Sequence, residues 1–130
     1  LGAEDHDSGL AGAMHSGPEP NTVVVSEDTA REVFYHDCAS DDVEQVIARL
    51  LPQPVAPFGT PIHTTEENFG SVPRAYILCR EDRAITASMQ QRMIERLPCS
   101  PVIELATGHS PFYATPVALA DALEQIGQSR

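Results

Sequence analysis

The segment Pro101-Val-Ile-Glu-Leu-Ala-Thr-Gly-His-Ser-Pro-Phe112 decides the fold that we predict for this chain. Its apolar start, Pro101 to Leu105, predicts a short strand. Thr115-Pro116 follows, and a threonine N-cap with proline at the first helical position is typical of a helix start. His109 therefore lies in a glycine-containing turn between a strand and a helix. Such a turn places a histidine where it can act on a ligand.

The same layout occurs earlier in the chain, with an acid in place of the histidine. Ala75-Tyr-Ile-Leu-Cys79 predicts a strand that is buried on both faces, as in a parallel sheet. Arg80-Glu-Asp-Arg83 follows, and then a helix from about Thr86. Because a strand–helix–strand unit is parallel, both strands end at the same edge of the sheet. Asp82 and His109 are therefore expected in side-chain contact at the edge where open α/β sheets bind ligands.

An acid in contact with a histidine can form two thirds of a hydrolytic triad. A carboxylate that accepts a hydrogen bond from one imidazole nitrogen leaves the other nitrogen free to act as general base. The structural alternative is that Asp82 caps the following helix and that His109 bonds a loop carbonyl. Either residue alone favours that alternative, whereas the pair in matched loops favours the functional interpretation.

The sequence does not supply the nucleophile of such a triad. A G-x-S-x-G turn crowds the positions two before and two after the serine, so both must be small. In Gly108-His-Ser-Pro-Phe112 the second of these positions is Phe112, and neither Ser8 nor Ser16 follows a predicted strand. We therefore interpret Ser110 as a neighbour of His109 and not as a nucleophile.

The first half of the chain is less regular. Residues 1–21 are rich in Gly, Ala, Ser, Pro and Asp, which predicts a mobile loop. Thr22–Val25 and Arg31–Tyr35 are predicted to be two extended pieces of a small hairpin around a polar turn. Ser40 is expected to cap a helix that Pro52 ends. A proline-rich connector then leads into the regular strand–helix order.

Composition limits the classes of partner. The 130 residues fit one domain and carry 19 acidic against 8 basic residues, a formal charge of -11. This charge disfavours nucleic acid and anionic membranes as partners. The three cysteines lack C-x-x-C spacing and favour a reducing, cytoplasmic setting over a disulfide framework. The chain begins at Leu1 without a methionine, which suggests a fragment or a processed chain.

We predict no metal site and no cofactor. His6 and His15 lie in the N-terminal loop without the further ligands that a metal ion requires. His36, Asp37 and Cys38 are consecutive, and in an extended chain neighbouring side chains point to opposite faces. These three residues are therefore not expected to reach one ion.

The chain resembles the C-terminal part of an α/β-hydrolase. The resemblance is closest to the branch that contains plant methylesterases, hydroxynitrile lyases and bacterial esterase-like relatives, and it covers nearly everything after Thr22. It is carried by three runs: Val72-Pro-Arg-Ala-Tyr-Ile-Leu-Cys-Arg-Glu-Asp-Arg-Ala-Ile85, Gln90-Gln-Arg-Met-Ile94 and Glu104-Leu-Ala-Thr-Gly-His-Ser-Pro-Phe112. It implies that Asp82 is the triad acid and His109 the triad histidine. It also implies a substrate pocket lined by Phe58, Ser110 and Phe112.

The resemblance also implies how the chain is divided. Phe34-Tyr-His-Asp-Cys38 through Phe58 is similar to the cap that roofs the active site in this branch. We accordingly expect an α/β fold with a cap or lid segment and a mobile N-terminal loop in residues 1–60. Residues 61–130 are expected to form the last two parallel βα units of the hydrolase core. The family's N-terminal half, with its oxyanion-hole loop and nucleophile serine, is absent from these residues.

The resemblance implies serine-type hydrolysis of small carboxylic esters, without a cofactor and with a complementary N-terminal polypeptide as partner. Hydroxynitrile lyases of this branch have lysine directly after the histidine, whereas this chain has Ser110 and no lysine, which disfavours cyanohydrin cleavage. Two alternatives stay open. One is a non-catalytic, truncated hydrolase-like binding subunit, and the other is the same fold acting on lactone, epoxide or polyketide substrates. Homodimer formation also stays open.

Overall fold

The computed structural model describes residues 4–128, in two small sheets and six α-helices. The strands are β1 His15–Ser16, β2 Thr22–Val24, β3 Gln53–Pro54, β4 Tyr76–Cys79 and β5 Val102–Leu105. The helices are α1 Glu27–Phe34, α2 Ser40–Ile47, α3 Ala56–Gly59, α4 Ala87–Arg96, α5 Pro111–Ala114 and α6 Pro116–Gln128. A π-helical turn, Glu66–Gly70, precedes β4. Strands β1, β2 and β3 form one antiparallel sheet, and β4 pairs with β5.

The predicted parallel pair is confirmed. Strands β4 and β5 run parallel, with Tyr76 opposite Val102 and Cys79 opposite Leu105. Leu78 and Cys79 are buried, as expected for a strand that is covered on both faces. Both strands therefore end at one edge, and the loops that follow them lie side by side.

Helix α4 connects the two parallel strands and begins at Ala87, one residue after the predicted start near Thr86, which is its N-cap. The Thr86 hydroxyl accepts a hydrogen bond from the Met89 N–H and so caps the helix, and the Met89 side chain is buried. The buried side-chain amide of Gln90 bonds to the backbone of β4 in the way that the peptide group of a neighbouring strand would. It bonds to both the N–H and the C=O of Cys79, at 3.0 and 2.9 Å. These contacts fasten α4 to the end of β4, directly before the loop that contains Asp82.

The predicted hairpin is wrong in its second half. Arg31–Tyr35 was expected to be extended, but Glu27–Phe34 is helix α1. The Ser26 side chain caps this helix by accepting from the Thr29 N–H, and two acidic residues occupy the first turn, where the helix dipole favours them. Ala30 and Val33, three positions apart, are both buried. Helical spacing thus outweighs the extended propensity of the Val-Phe-Tyr run.

Residues 1–21 are predicted to be a mobile loop, of which residues 1–3 lie outside the described range. Within the described residues 4–21 the segment consists mostly of turns, with the short strand β1, and its mobility stays a prediction. The Asp5 carboxylate is buried and accepts from the Thr86 N–H at 2.8 Å and from the Thr86 hydroxyl at 2.7 Å. Ser8 donates to the Ala84 carbonyl, and the Gly9 N–H donates to the Arg83 carbonyl. Residues 5–9 are therefore bonded to residues 83–86, directly after Asp82.

Asp5→Ala is expected to lower the free energy of unfolding by about 1–3 kcal/mol, because the part-buried N–H and hydroxyl of Thr86 lose the carboxylate that accepts from both. The measurement is the urea midpoint followed by circular dichroism. Asp7→Ala is the matched control, because Asp7 is exposed. Equal midpoints for the two variants would contradict the anchoring role of Asp5.

Smaller differences concern helix ends. Ser40 is the first residue of α2, and Ala39, which makes no side-chain cap, occupies the N-cap position. That helix ends at Ile47, so Leu51 lies beyond it and is 84% exposed. Helix α6 begins at Pro116, as predicted, and continues through Gly127 to Gln128. Within residues 4–128 no helix is both long and apolar enough to cross a membrane.

Candidate active site

The loops after β4 and β5 continue to pair after the strands end. The Arg80 N–H donates to the Leu105 carbonyl and the Glu81 N–H donates to the Thr107 carbonyl, each at 3.0 Å. These two bonds keep the loops in register. The side chains of Asp82 and His109, which follow directly, are consequently brought together.

Asp82 is held in place by the turn that it begins. Its Oδ1 accepts from the Ala84 N–H at 2.7 Å and from the Ile85 N–H at 2.9 Å. The side chain is 7% exposed. The carboxylate therefore has a fixed orientation before any contact with the histidine is considered.

His109 faces this carboxylate. Its Nδ1 lies 3.1 Å from Oδ1 and 3.0 Å from Oδ2 of Asp82. A carboxylate can only accept, so Nδ1 carries the proton and Nε2 is the nitrogen left to act as a base. The imidazole is 34% exposed, and the Phe34 ring lies beside it at 5.2 Å between centroids. The structural alternative is wrong for Asp82: Thr86 caps α4, whereas Asp82 accepts from the turn before that helix and contacts His109 at the same time.

Asp37 is a further residue at this site that the sequence interpretation missed. Its Oδ2 accepts from the Gly108 N–H at 2.6 Å and from the Thr107 hydroxyl at 2.9 Å. Burial tends to raise the pKa of this carboxyl, but the bonds from Gly108 and Thr107 outweigh burial, and the pKa of Asp37 is lowered. In residues 4–128 no group of three acidic, histidine or cysteine side chains is arranged to hold a metal ion.

Gly108 is required by the close approach of the Asp37 segment to the histidine loop. A Cβ at this position would lie 2.6 Å from His36 Cε1 and 2.7 Å from Asp37 Oδ1. Both distances are shorter than a real Cβ contact allows. Only glycine therefore lets the two segments pack this closely.

His109 borders a cavity of about 1170 Å³. Phe58, one of the predicted substrate-binding residues, also lines this cavity and is 66% exposed. Ser110 and Phe112 are not part of its lining: Ser110 is 2% exposed, and the Phe112 ring packs against Tyr113. The structure thus brings Phe58 to the same cavity as His109. Substrate contact by Ser110 and Phe112 stays a prediction.

Comparison with protein families and with curated proteins gives consistent matches. Residues 4–122 match the model described as "Alpha/beta hydrolase family". The chain is 34% identical over 113 residues to methylesterase 2 of Arabidopsis thaliana, covering 83% of this chain and 42% of that protein. It is 31% identical over 100 residues to norfluorocurarine synthase 2 of Strychnos nux-vomica, covering 73% of this chain and 37% of that protein. The chain thus spans about two fifths of the length of these relatives.

Solved structures are similar over most of this chain. Polyneuridine aldehyde esterase superposes with a TM-score of 0.75 at 22% identity, covering 88% of this chain and 47% of that one. A pyrethroid hydrolase from Sphingobium faniae JZ-2 gives a TM-score of 0.73 at 24% identity, covering 92% and 49%. At these identities the likeness is one of fold. The described residues correspond to about half of each structure.

Proposed function

Because the chain belongs to the alpha/beta hydrolase family, we propose that it is part of a serine-type carboxylic ester hydrolase. In this proposal Asp82 is the acid of the catalytic triad and His109 is its base. The observation that carries the proposal is the contact of His109 Nδ1 with Asp82 Oδ2, at 3.0 Å, beside a large cavity. The similarity to methylesterases supports the choice of esters as substrates.

The proposed mechanism follows from the orientation of the imidazole. His109 Nε2 takes the proton of a serine hydroxyl as its oxygen attacks the ester carbonyl. The carbon–oxygen bond of the ester then breaks, and the imidazolium returns the proton to the leaving alcohol. Asp82 stabilises the imidazolium and keeps Nε2 directed to the reaction. A water molecule, activated in the same way, then releases the acid and restores the serine.

We further propose that the nucleophile and the oxyanion hole come from a complementary segment outside these 130 residues. No serine of the sequence has glycine both two positions before it and two positions after it. Ser110, which directly follows the histidine, is 2% exposed and does not line the cavity, so it is poorly placed to act as the nucleophile. The partial length match to methylesterases supports the same conclusion.

The cavity favours neutral, apolar esters. Its lining includes large apolar side chains from several elements, with two acids, Asp5 and Glu27, and no arginine among the described residues. A carboxylate on the substrate would find no positive side chain of fixed charge in this lining and would be repelled by Glu27. The apolar lining residues include Leu10, Met14, Leu50, Phe58, Met89 and Met93.

We expect the complete protein to hydrolyse p-nitrophenyl butyrate with a kcat/KM at least about 10-fold above that for p-nitrophenyl hemisuccinate, which carries a free carboxylate. The measurement is nitrophenol release under matched conditions, with the spontaneous rate subtracted. Preference for the charged ester would contradict the proposed substrate class. No turnover of either ester would favour the rival function, a non-catalytic binding subunit. A cytoplasmic location stays a prediction from the cysteine content.

A further inference from the structure

We propose that Asp37 is a positioning residue for His109. Asp37 holds the Thr107–Gly108 peptide, which lies one residue before the histidine, and so sets where the imidazole lies. The role rests on the proposed hydrolase function, because it concerns the base of that triad. Asp37 lies between α1 and α2, in the segment that resembles a cap, and 71 positions before Gly108. It therefore links the cap segment to the catalytic loop.

The first argument is the burial of the two donors. Thr107 is 0% exposed and Gly108 is also buried, so neither can turn to water if the Asp37 carboxylate is removed. Both donate to the same oxygen, Oδ2, at 2.9 and 2.6 Å. The carboxylate is thus the acceptor that both groups share, and its loss would release the loop.

The second argument is that the Thr107–Gly108 peptide is held from two sides. The Thr107 carbonyl accepts from the Glu81 N–H, in the loop of the triad acid, while the Gly108 N–H donates to Asp37. One end of the peptide is thus tied to the Asp82 loop and the other to the cap segment. Only the backbone dihedrals of Gly108 and His109 and the side-chain dihedrals of His109 separate this peptide from the imidazole. A shift of the peptide therefore moves the histidine directly.

The third argument is the charge of Asp37. Bonds from donors to an ionised acceptor are shorter and stronger than neutral ones, and the 2.6 Å contact with Gly108 fits that class. Lowering the pH below the ordinary range of aspartate would weaken this anchor, because a protonated carboxyl is a poorer acceptor. Near neutral pH the anchor is fully formed.

The test compares Asp37→Ala and Asp37→Asn with wild type in the complete protein. We expect Asp37→Ala to lower kcat on p-nitrophenyl butyrate by about 10-fold to 100-fold, with KM changed less than about 3-fold, because a displaced base affects the chemical step and not binding. Asp37→Asn should recover most of the loss, since one amide oxygen can accept both bonds. Asp41→Ala is the control, because Asp41 is exposed on α2 and should leave kcat unchanged.

A second measurement is independent of turnover. The Nδ1 proton of His109, held by Asp82, should give a low-field NMR resonance that is present in wild type and Asp37→Asn but exchange-broadened in Asp37→Ala. Wild-type kcat and resonance in folded Asp37→Ala would overturn the proposal. If Asp37→Ala does not fold, Thr107→Val replaces it: a lower kcat at constant KM supports the role, and unchanged values overturn it. If wild type hydrolyses no ester, the proposed function fails. The positioning role of Asp37 is then tested by the resonance alone: broadening in Asp37→Ala supports it, and an unchanged resonance overturns it.

Discussion

His109→Ala is expected to lower kcat/KM for p-nitrophenyl butyrate by about 10³-fold or more in the complete protein. The imidazole is the group proposed to take the serine proton. Alanine removes it and also leaves Asp82 without the nitrogen that it contacts at 3.0 Å. Binding of the ester should change little, because the apolar lining of the cavity stays in place. The measurement is the initial rate of nitrophenol release at several substrate concentrations.

His63→Ala is the matched control for this experiment. His63 is exposed, and it is not part of the cavity lining. The control should retain the wild-type rate within about 2-fold, in line with surface substitutions away from a site. Circular dichroism should show that both variants are folded. Wild-type activity in folded His109→Ala would reject our assignment of the base.

The second large effect is expected for Asp82→Asn, with kcat lowered by about 10²-fold to 10⁴-fold. Ala84 and Ile85 donate to Oδ1, so the amide oxygen of asparagine will occupy that position. The amide nitrogen then replaces Oδ2, 3.0 Å from His109 Nδ1. Because the amide N–H then faces Nδ1 at the shorter of its two distances to this side chain, it favours the tautomer in which Nδ1 accepts and Nε2 carries the proton. In this tautomer His109 cannot accept the proton of serine.

Asp82→Asn should lower kcat through the change of tautomer and not through a loss of folding stability. The amide oxygen keeps the hydrogen bonds from the Ala84 and Ile85 N–H groups. The urea midpoint should therefore fall only slightly, while kcat falls by at least about 10²-fold. Glu81→Gln provides the control, since Glu81 is the exposed neighbour and contributes its backbone, not its side chain, to the loop pairing. Near wild-type kcat in Asp82→Asn would mean that the aspartate does not determine the tautomer.

The sequence predicted most of the second half of the fold because its signals are local. The two short strands, the helix start near Thr86 and the helix start at Pro116 are each recognisable within a few residues, and the crossover rule then places Asp82 beside His109. The first half was predicted less well for the same reason. Helix α1 has only eight residues, with two buried side chains, and its Val-Phe-Tyr end is equally typical of a strand.

The sequence by itself therefore determined the parallel βα units and the pairing of Asp82 with His109. Only the tertiary structure decided which distant residues hold the loops that contain Asp82 and His109 in place. Asp5 bonds to Thr86 across 81 positions, and Asp37 bonds to Gly108 across 71. No periodicity links residues so far apart. The physical reason is that a carboxylate shows its role only through the buried donors that surround it, and those donors come together only when the chain folds.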